Sequence, residues 1–210
     1  MFADERTTTV DLIRHGEPVG GRRFRGSQDD PLSELGWEQM RGAVASAQPW
    51  SKVVSSPLLR CHEFAQELAH ANDIAVSVAH DIREIHFGEW EGLTTNEVHE
   101  VSPGLLEKVW QDSIAHTPPG GERLLDFAAR VGDAWDTLLD EHAGEHVLVV
   151  AHGGTIRAIL CHTLGIPLEG MWRFDVQYAS MTRLRAWQSP QKPTVYSLLS
   201  HAAELSIYDD

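Results

Sequence analysis

The chain lacks most of what would tie a protein to a membrane, a metal or an oxidising compartment. Its 210 residues contain no apolar run long enough to span a bilayer. The start, Met1-Phe2-Ala3-Asp4-Glu5-Arg6, lacks the basic and then apolar regions of a secretory leader. Only two cysteines are present, Cys61 and Cys161. They make neither a disulfide framework nor a metal spacing, so a reducing, cytoplasmic setting is expected. The 12 histidines include no His-Glu-x-x-His arrangement, and neither a metal nor another cofactor is expected.

Positive charge is also scarce. Lys and Arg total 17 against 31 Asp and Glu, a formal net charge of −14. Such a surface repels nucleic acid and anionic lipid, so neither is an expected partner. Any anion site must be a local basic pocket working against the general field. Repeats, low-complexity stretches and linkers are missing too. A chain of this length, 42% apolar, fits one domain over 1–210 with a sizeable core.

What is there is an alternation of strand and helix patterns. Residues 8–13 read as a buried strand. Ser33 is a candidate N-cap for a helix carrying Trp37, Met40 and Val44. Val53-Val54-Ser55-Ser56 reads as a second strand, ended by Pro57. Leu58, Cys61, Phe64, Ala65 and Leu68 share one face of the next helix. A third strand is expected over 74–78, and a mixed helical excursion over 81–120. A long amphipathic helix follows from about Glu122 to His142, then a strand over 146–151. The next helix is expected from Thr155 to Leu164, stopped by Gly165 with Pro167 beyond. The alternation over 171–187 predicts a two-stranded hairpin, and 194–199 a last strand that could pair across a homodimer. The tail ending in Asp209-Asp210 reads as loose.

This order predicts an α/β fold, a three-layer α/β/α sandwich with a mainly parallel sheet. The excursion would cover the end where ligands bind, beyond the carboxyl ends of the strands. Four chemistry-bearing residues fall just after the four main strands: His15, Arg60, Glu84 and His152. A neutral imidazole is a good nucleophile toward phosphorus. The dianionic ester needs a guanidinium clamp, for which Arg14 and Arg60 are candidates. His152, held protonated, would donate to a third oxygen. Gly16, Gly153 and Gly154 would let backbone approach, and free N–H groups of the following helix would face the anion. The leaving alkoxide needs a protonated carboxyl nearby. Glu84 is the best placed, although Glu89 and Glu91 are not distinguished from it by the residues alone. Trp90, beside the Glu84 loop, is expected to wall the pocket.

Six blocks in order carry a wider resemblance: LIRHGEP at 12–18, DDPLSELG at 29–36, SSPLLRC at 55–61, REIHFGEWEG at 83–92, PGGE at 119–122 and VVAHGGTIRA at 149–158. The chain resembles the histidine phosphatase superfamily, the phosphoglycerate mutase-like family, over nearly its whole length. The resemblance implies a metal-free phosphohistidine mechanism on a small phosphate ester, with His15 as nucleophile and Glu84 as proton donor. Arg14, Arg60 and His152 then form the phosphate pocket, with Gly153 beside it.

Within that family the stretch GEPVGGRRFRGSQDDPLSELG is most similar to the α-ribazole phosphatase branch of cobalamin synthesis. The mutase branch typically has an asparagine six residues after the nucleophile, where this chain has Gly21. Arg22, Arg23 or a backbone N–H near Gly21 would then satisfy that phosphate oxygen. The mutase branch also carries an insertion with paired arginines, which the region around 102–120 lacks. Net hydrolysis is therefore expected. The alternatives are a cofactor-dependent phosphoglycerate mutase and a non-catalytic phospholigand-binding protein.

Overall fold

A computed structural model describes residues 5–45 and 49–203; the expected loose tail lies outside them. Six strands form one sheet in the order β3-β2-β4-β1-β5-β6. They are β1 (Arg6–Arg14), β2 (Lys52–Ser55), β3 (Ala75–Val78), β4 (His146–Ala151), β5 (Met181–Ser189) and β6 (Lys192–Ala203). The first four run parallel, and β5 and β6 close one side as an antiparallel pair. Among the described residues six α-helices accompany them: α1 (Glu34–Ala43), α2 (Leu59–Ala71), α3 (Thr95–Val101), α4 (Leu105–Gln111), α5 (Leu124–Glu141) and α6 (Gly153–Leu164).

The strands alternate, and the alternation builds the sandwich. On β4, Val147, Val149 and Ala151 pack with Phe127, Val131 and Trp135 of α5 and Ile156 and Ile159 of α6. Leu148 and Val150 face the other way, with Met40 of α1 and Cys61, Phe64 and Leu68 of α2. A separate small core of Trp90, Val98, Leu106 and Val109 sits inside the excursion, with Phe24 and Phe87 against it.

Local signals explain several boundaries. The Ser33 side chain accepts from the Gly36 N–H and caps α1. Thr94 and Glu97 make a reciprocal capping box at α3. Gly165, in the left-handed region at φ 63°, ends α6. Both cysteines are free and buried. Among the described residues no helix is long and apolar enough to cross a membrane.

One expectation is wrong. Residues 171–187 are not a hairpin. Leu168–Arg173 is a 3-10 turn, 174–180 is irregular, and the hairpin is β5 with β6, turning near Pro190. The pattern misleads because Phe174, Val176 and Tyr178 alternate with polar residues. Their carbonyls are committed elsewhere: Val176 O accepts from Arg14 Nη1 at 2.6 Å and Phe174 O from Arg157 Nε at 2.8 Å. Smaller differences are at helix starts, with α5 beginning at Leu124 and α6 at Gly153.

Candidate active site

The parallel pairing of β1 with β4 sets Arg14 beside Ala151. The next residue on each strand is a histidine, so register alone delivers His15 and His152 side by side. The His15 N–H donates to Ala151 O at 3.0 Å, and the two rings lie edge to face with centroids 5.2 Å apart. The chain can turn here because Gly16 and Gly36 touch backbone to backbone. A Cβ on Gly16 would collide with the Gly36 carbonyl, and one on Gly36 with the Glu17 carbonyl.

His15 Nδ1 lies 2.7 Å from Gly16 O. A carbonyl only accepts, so Nδ1 carries the proton and Nε2 keeps its lone pair. Burial, then the charges of Arg60 and Arg14, push the His15 pKa well below 6.5. The ring is therefore a neutral imidazole with a defined nucleophilic nitrogen.

His152 is expected to be protonated around a bound phosphate; without one its surroundings favour the neutral ring. Burial, then Arg60 and His15, drive its pKa well below 6.5 too. Without a ligand the charged form is disfavoured, because the ring is buried, the charges around it are cations and no carboxylate among the described residues hydrogen-bonds to it. Its Nε2 is 2.6 Å from Ser56 Oγ, and both ring nitrogens lie within 3.8 Å of Cys61 Sγ. Burial pushes the Cys61 thiol up, so it keeps its proton, which points to Ala151 O.

Arg14 and Arg60 exert the largest charge effects on His15, and their environments have one thing in common. Each has its Nε buried with no hydrogen-bond partner. Arg60 is fully buried on α2, its Nη1 and Nη2 donating to Gln28 O and Gly26 O at 2.7 and 2.8 Å. Arg14 packs its guanidinium 4.1 Å from the centre of the Tyr178 ring. Buried donors are almost always satisfied in folded proteins; of the five buried side-chain atoms without a partner among the described residues, only these two belong to guanidinium groups, and both act on His15.

The three glutamates are separated by what they touch. Glu91 binds the backbone N–H groups of Ser27, Gln28 and Phe87, and so ties the 24–28 loop to the excursion. Glu89 is exposed. Glu84 lines the same cavity as Arg14 and His15. Its Oε2 accepts from the Gly154 N–H at 3.0 Å, and its Oε1 from Ile85 N–H at 3.1 Å. A side chain at 154 would run into Glu84. The first turn of α6 therefore offers one N–H to a carboxylate of the protein itself, where the sequence had suggested a free one.

The cavity encloses about 600 Å³ with its open mouth. Gly153 lines it, but five other expected residues do not. Arg60 and His152 are fully buried and off the lining. Trp90 is fully buried in the excursion core and donates to Ser102 Oγ at 3.1 Å; an aromatic among Phe24, Val98 and Leu106 packs inward instead of walling a pocket. Arg22 is exposed and off the lining. Gly21 has a backbone role: at φ 71°, after Gly20 at φ 85°, it lets the loop fold around Arg25. Arg25 donates to the carbonyls of Gly21 and Val19 and to Asp30. Sequence reasoning missed Arg157, Trp172 and Tyr178, which line the cavity along with Arg23 and Phe87. The one available signal was Arg157, a charged residue in the otherwise apolar first turns of α6. Among the described residues no cluster of three histidine, cysteine or carboxylate side chains is placed to hold a metal ion.

The sequence matches the histidine phosphatase superfamily (branch 1) over residues 10–197. The chain belongs to that superfamily. A bifunctional protein of Mycobacterium tuberculosis is 36% identical over 180 residues, covering 83% of this chain and 49% of that protein. The chain thus spans about half the length of the first curated relatives it matches. The glucosyl-3-phosphoglycerate phosphatase of Mycolicibacterium vanbaalenii is 35% identical over 178 residues, 78% of this chain and 77% of that one. A structure of a mycobacterial glucosyl-3-phosphoglycerate phosphatase in complex with inorganic phosphate superposes with a TM-score of 0.79. It is 29% identical and covers 93% of this chain and 97% of its own. The α-ribazole phosphatase of Shigella flexneri is similar in fold alone, with TM-score 0.79, 24% identity and coverage of 93% and 96%.

Proposed function

We propose that the protein is a phosphomonoester phosphatase working through a phosphohistidine at His15. The observation that carries this reading is the pairing of His15 with two orphaned guanidinium donors. The Nδ1–H is fixed on Gly16 O, so the Nε2 lone pair is the group left to react. The buried Nε groups of Arg14 and Arg60 lack acceptors that phosphate oxygens would provide.

The steps follow from these positions. His15 Nε2 attacks phosphorus, the P–O bond to the substrate breaks, and Glu84 delivers its proton to the leaving alkoxide. The Glu84 carboxylate then takes a proton from water as that water attacks phosphorus. The P–N bond breaks, the lone pair returns to Nε2, and inorganic phosphate leaves. A bound dianion brings the negative charge that His152 lacks, so His152 takes up a proton and donates it toward the phosphoryl group as binding proceeds. Arg14 and Arg60 stabilise the charge that grows on the equatorial oxygens.

For the substrate, two candidates follow from different sources. α-Ribazole 5′-phosphate is suggested by the 16–36 stretch and by likeness in fold. Glucosyl-3-phosphoglycerate is suggested by relatives of higher identity. Phosphate release from a panel holding both, with wild type and H15A, tests the reading. H15A should lose at least about a thousandfold in kcat, as removal of a nucleophile does elsewhere. Near-wild-type turnover by H15A would overturn it. The kcat/KM order of the two candidates ranks the substrates.

A further inference from the structure

His152 has to serve in two charge states, neutral in the empty site and charged beside a bound dianion. The side chain placed to allow this comes from the end of β2. Parallel pairing sets Ser55 beside Val150, and the Ser56 N–H donates to Val150 O at 3.0 Å. Ser56 therefore leaves β2 close to where His152 leaves β4. Both side chains are fully buried, and Ser56 Oγ lies 2.6 Å from His152 Nε2. A buried hydroxyl is ordinarily satisfied by backbone, as that of Ser55 is, which donates to Ser56 O at 2.8 Å. Among the described residues no carbonyl accepts from Ser56. Its oxygen meets the Leu58 N–H only at 3.4 Å.

A hydroxyl holds one proton and can also accept. Two acceptors are in reach of the Ser56 proton, His152 Nε2 and the Cys61 sulfur. Sulfur is the weaker acceptor, and the Cys61 proton itself points to Ala151 O. With the ring neutral, the hydroxyl donates to Nε2, and the ring proton then sits on Nδ1. With the ring charged, both nitrogens are donors. Nε2–H then donates to Ser56 Oγ, and the hydroxyl turns to Cys61 Sγ. In neither state is the buried Nε2 left without a partner, and in both Nδ1 carries a proton. The charged groups around the ring are Arg60 of α2, Arg14 of β1 and Arg130 of α5, with His15 beside them. None of these is an anion that would hold the ring charged.

We propose that Ser56 is a positioning residue for the reaction: its hydroxyl reverses its bond with His152 Nε2 as the ring charges, and so keeps Nδ1–H as the donor to the phosphoryl group throughout. The task given to Nδ1 rests on the phosphate-ester reading of the cavity. A partner fixed one way would not serve. A carboxylate at this place would hold the ring charged in the empty site. A backbone carbonyl would put the neutral ring's proton on Nε2 and leave Nδ1 with a lone pair facing an anion. A hydroxyl does neither.

Nitrogen-15 NMR of the intact chain labelled at histidine tests this at neutral pH, with H152N identifying the His152 signals and inorganic phosphate as the ligand. Ligand-free wild type should show Nδ1 protonated and Nε2 unprotonated, and phosphate should protonate both. S56A leaves Nε2 without a partner. Its neutral ring should divide between the two tautomers, and phosphate should bind about tenfold more weakly, as loss of one bond to a charged group implies. S55A removes an equally buried hydroxyl that does not bond to His152, and should keep the wild-type tautomer and affinity. A wild-type ring protonated on Nε2 instead of Nδ1, or left unprotonated at Nε2 by bound phosphate, would overturn the proposal; these two readings need no variant to fold. An unchanged tautomer in S56A, or the same losses in S55A, would overturn it as well. Absence of any phosphate binding by wild type would fall on the phosphatase reading, and the ligand-free tautomer would still decide whether Ser56 sets the ring.

Discussion

Asp11 and Arg14 stand three residues apart on β1, and their surroundings are opposite. Asp11 is fully buried. Its carboxylate accepts from Arg183 Nε and Nη2 at 2.6 and 2.9 Å, from Trp50 Nε1 at 2.7 Å and from His146 Nε2 at 3.0 Å. Arg14, at the carboxyl end of the same strand, has one Nη bonded to a carbonyl and its Nε bonded to nothing. The first charge is completed by the protein. The second is not, and under the proposed function a phosphate completes it. A buried charge satisfied from within is costly to disturb, and a buried guanidinium donor left short is one that an anion would satisfy.

The comparison can be broken by substitution. D11A removes a shared acceptor, and breaking such a buried pair costs about 3–5 kcal/mol. Denaturant unfolding should show that loss, with kcat of the surviving folded protein within a few-fold of wild type. R14M should behave in reverse, with stability changed little and kcat/KM reduced by about a hundredfold or more, as for other donors to developing negative charge. Loss of catalysis without loss of stability in D11A, or the opposite in R14M, would erase the distinction.

A smaller effect separates the two regions by pH. His15 and His152 have folded pKa values well below 6.5. As pH falls through 6.5 the unfolded chain takes up protons there that the folded chain does not, so stability falls with acid in that window. Burial raises the Asp11 carboxyl, but bonds from Arg183 and His146 outweigh it and leave the group below 3.8. Its contribution is present above that value and is lost as pH falls through the lower, folded pKa. Melting temperatures should therefore decline in two steps. Inorganic phosphate should flatten the upper step by favouring protonated His152, and D11A should reduce the lower, to which Glu67 and Glu97, also held below their usual range, still contribute. A single step unaffected by phosphate would contradict this account.

How much of this was legible in the sequence follows from the same residues. The echo of His15 at His152 was readable because both follow apolar strands. That the strands are neighbours in register, which sets the rings 5.2 Å apart, is a property of pairing and is not written in either motif. Glu84 could not be told from Glu91 by spacing, since the difference lies in which backbone N–H groups each one reaches. Trp90 was misplaced because an aromatic in a loop looks alike whether it packs inward or lines a cavity. Tyr178 and the setting of Arg157 are not legible in the sequence for one shared reason. The 174–180 segment looks like a strand, and only its carbonyls' bonds to Arg14 and Arg157 reveal a cavity wall.

The central claim is that His15 Nε2 takes the phosphoryl group, and trapping that bond tests it most directly. Wild type and E84Q, mixed with an aryl phosphate whose phenolate leaves without being protonated, quenched in alkali and digested, can be mapped by mass spectrometry. The account predicts an acid-labile phosphate on His15, accumulating in E84Q because water is no longer activated. Phosphate on another residue, or continued turnover with no phosphohistidine in either protein, would contradict it.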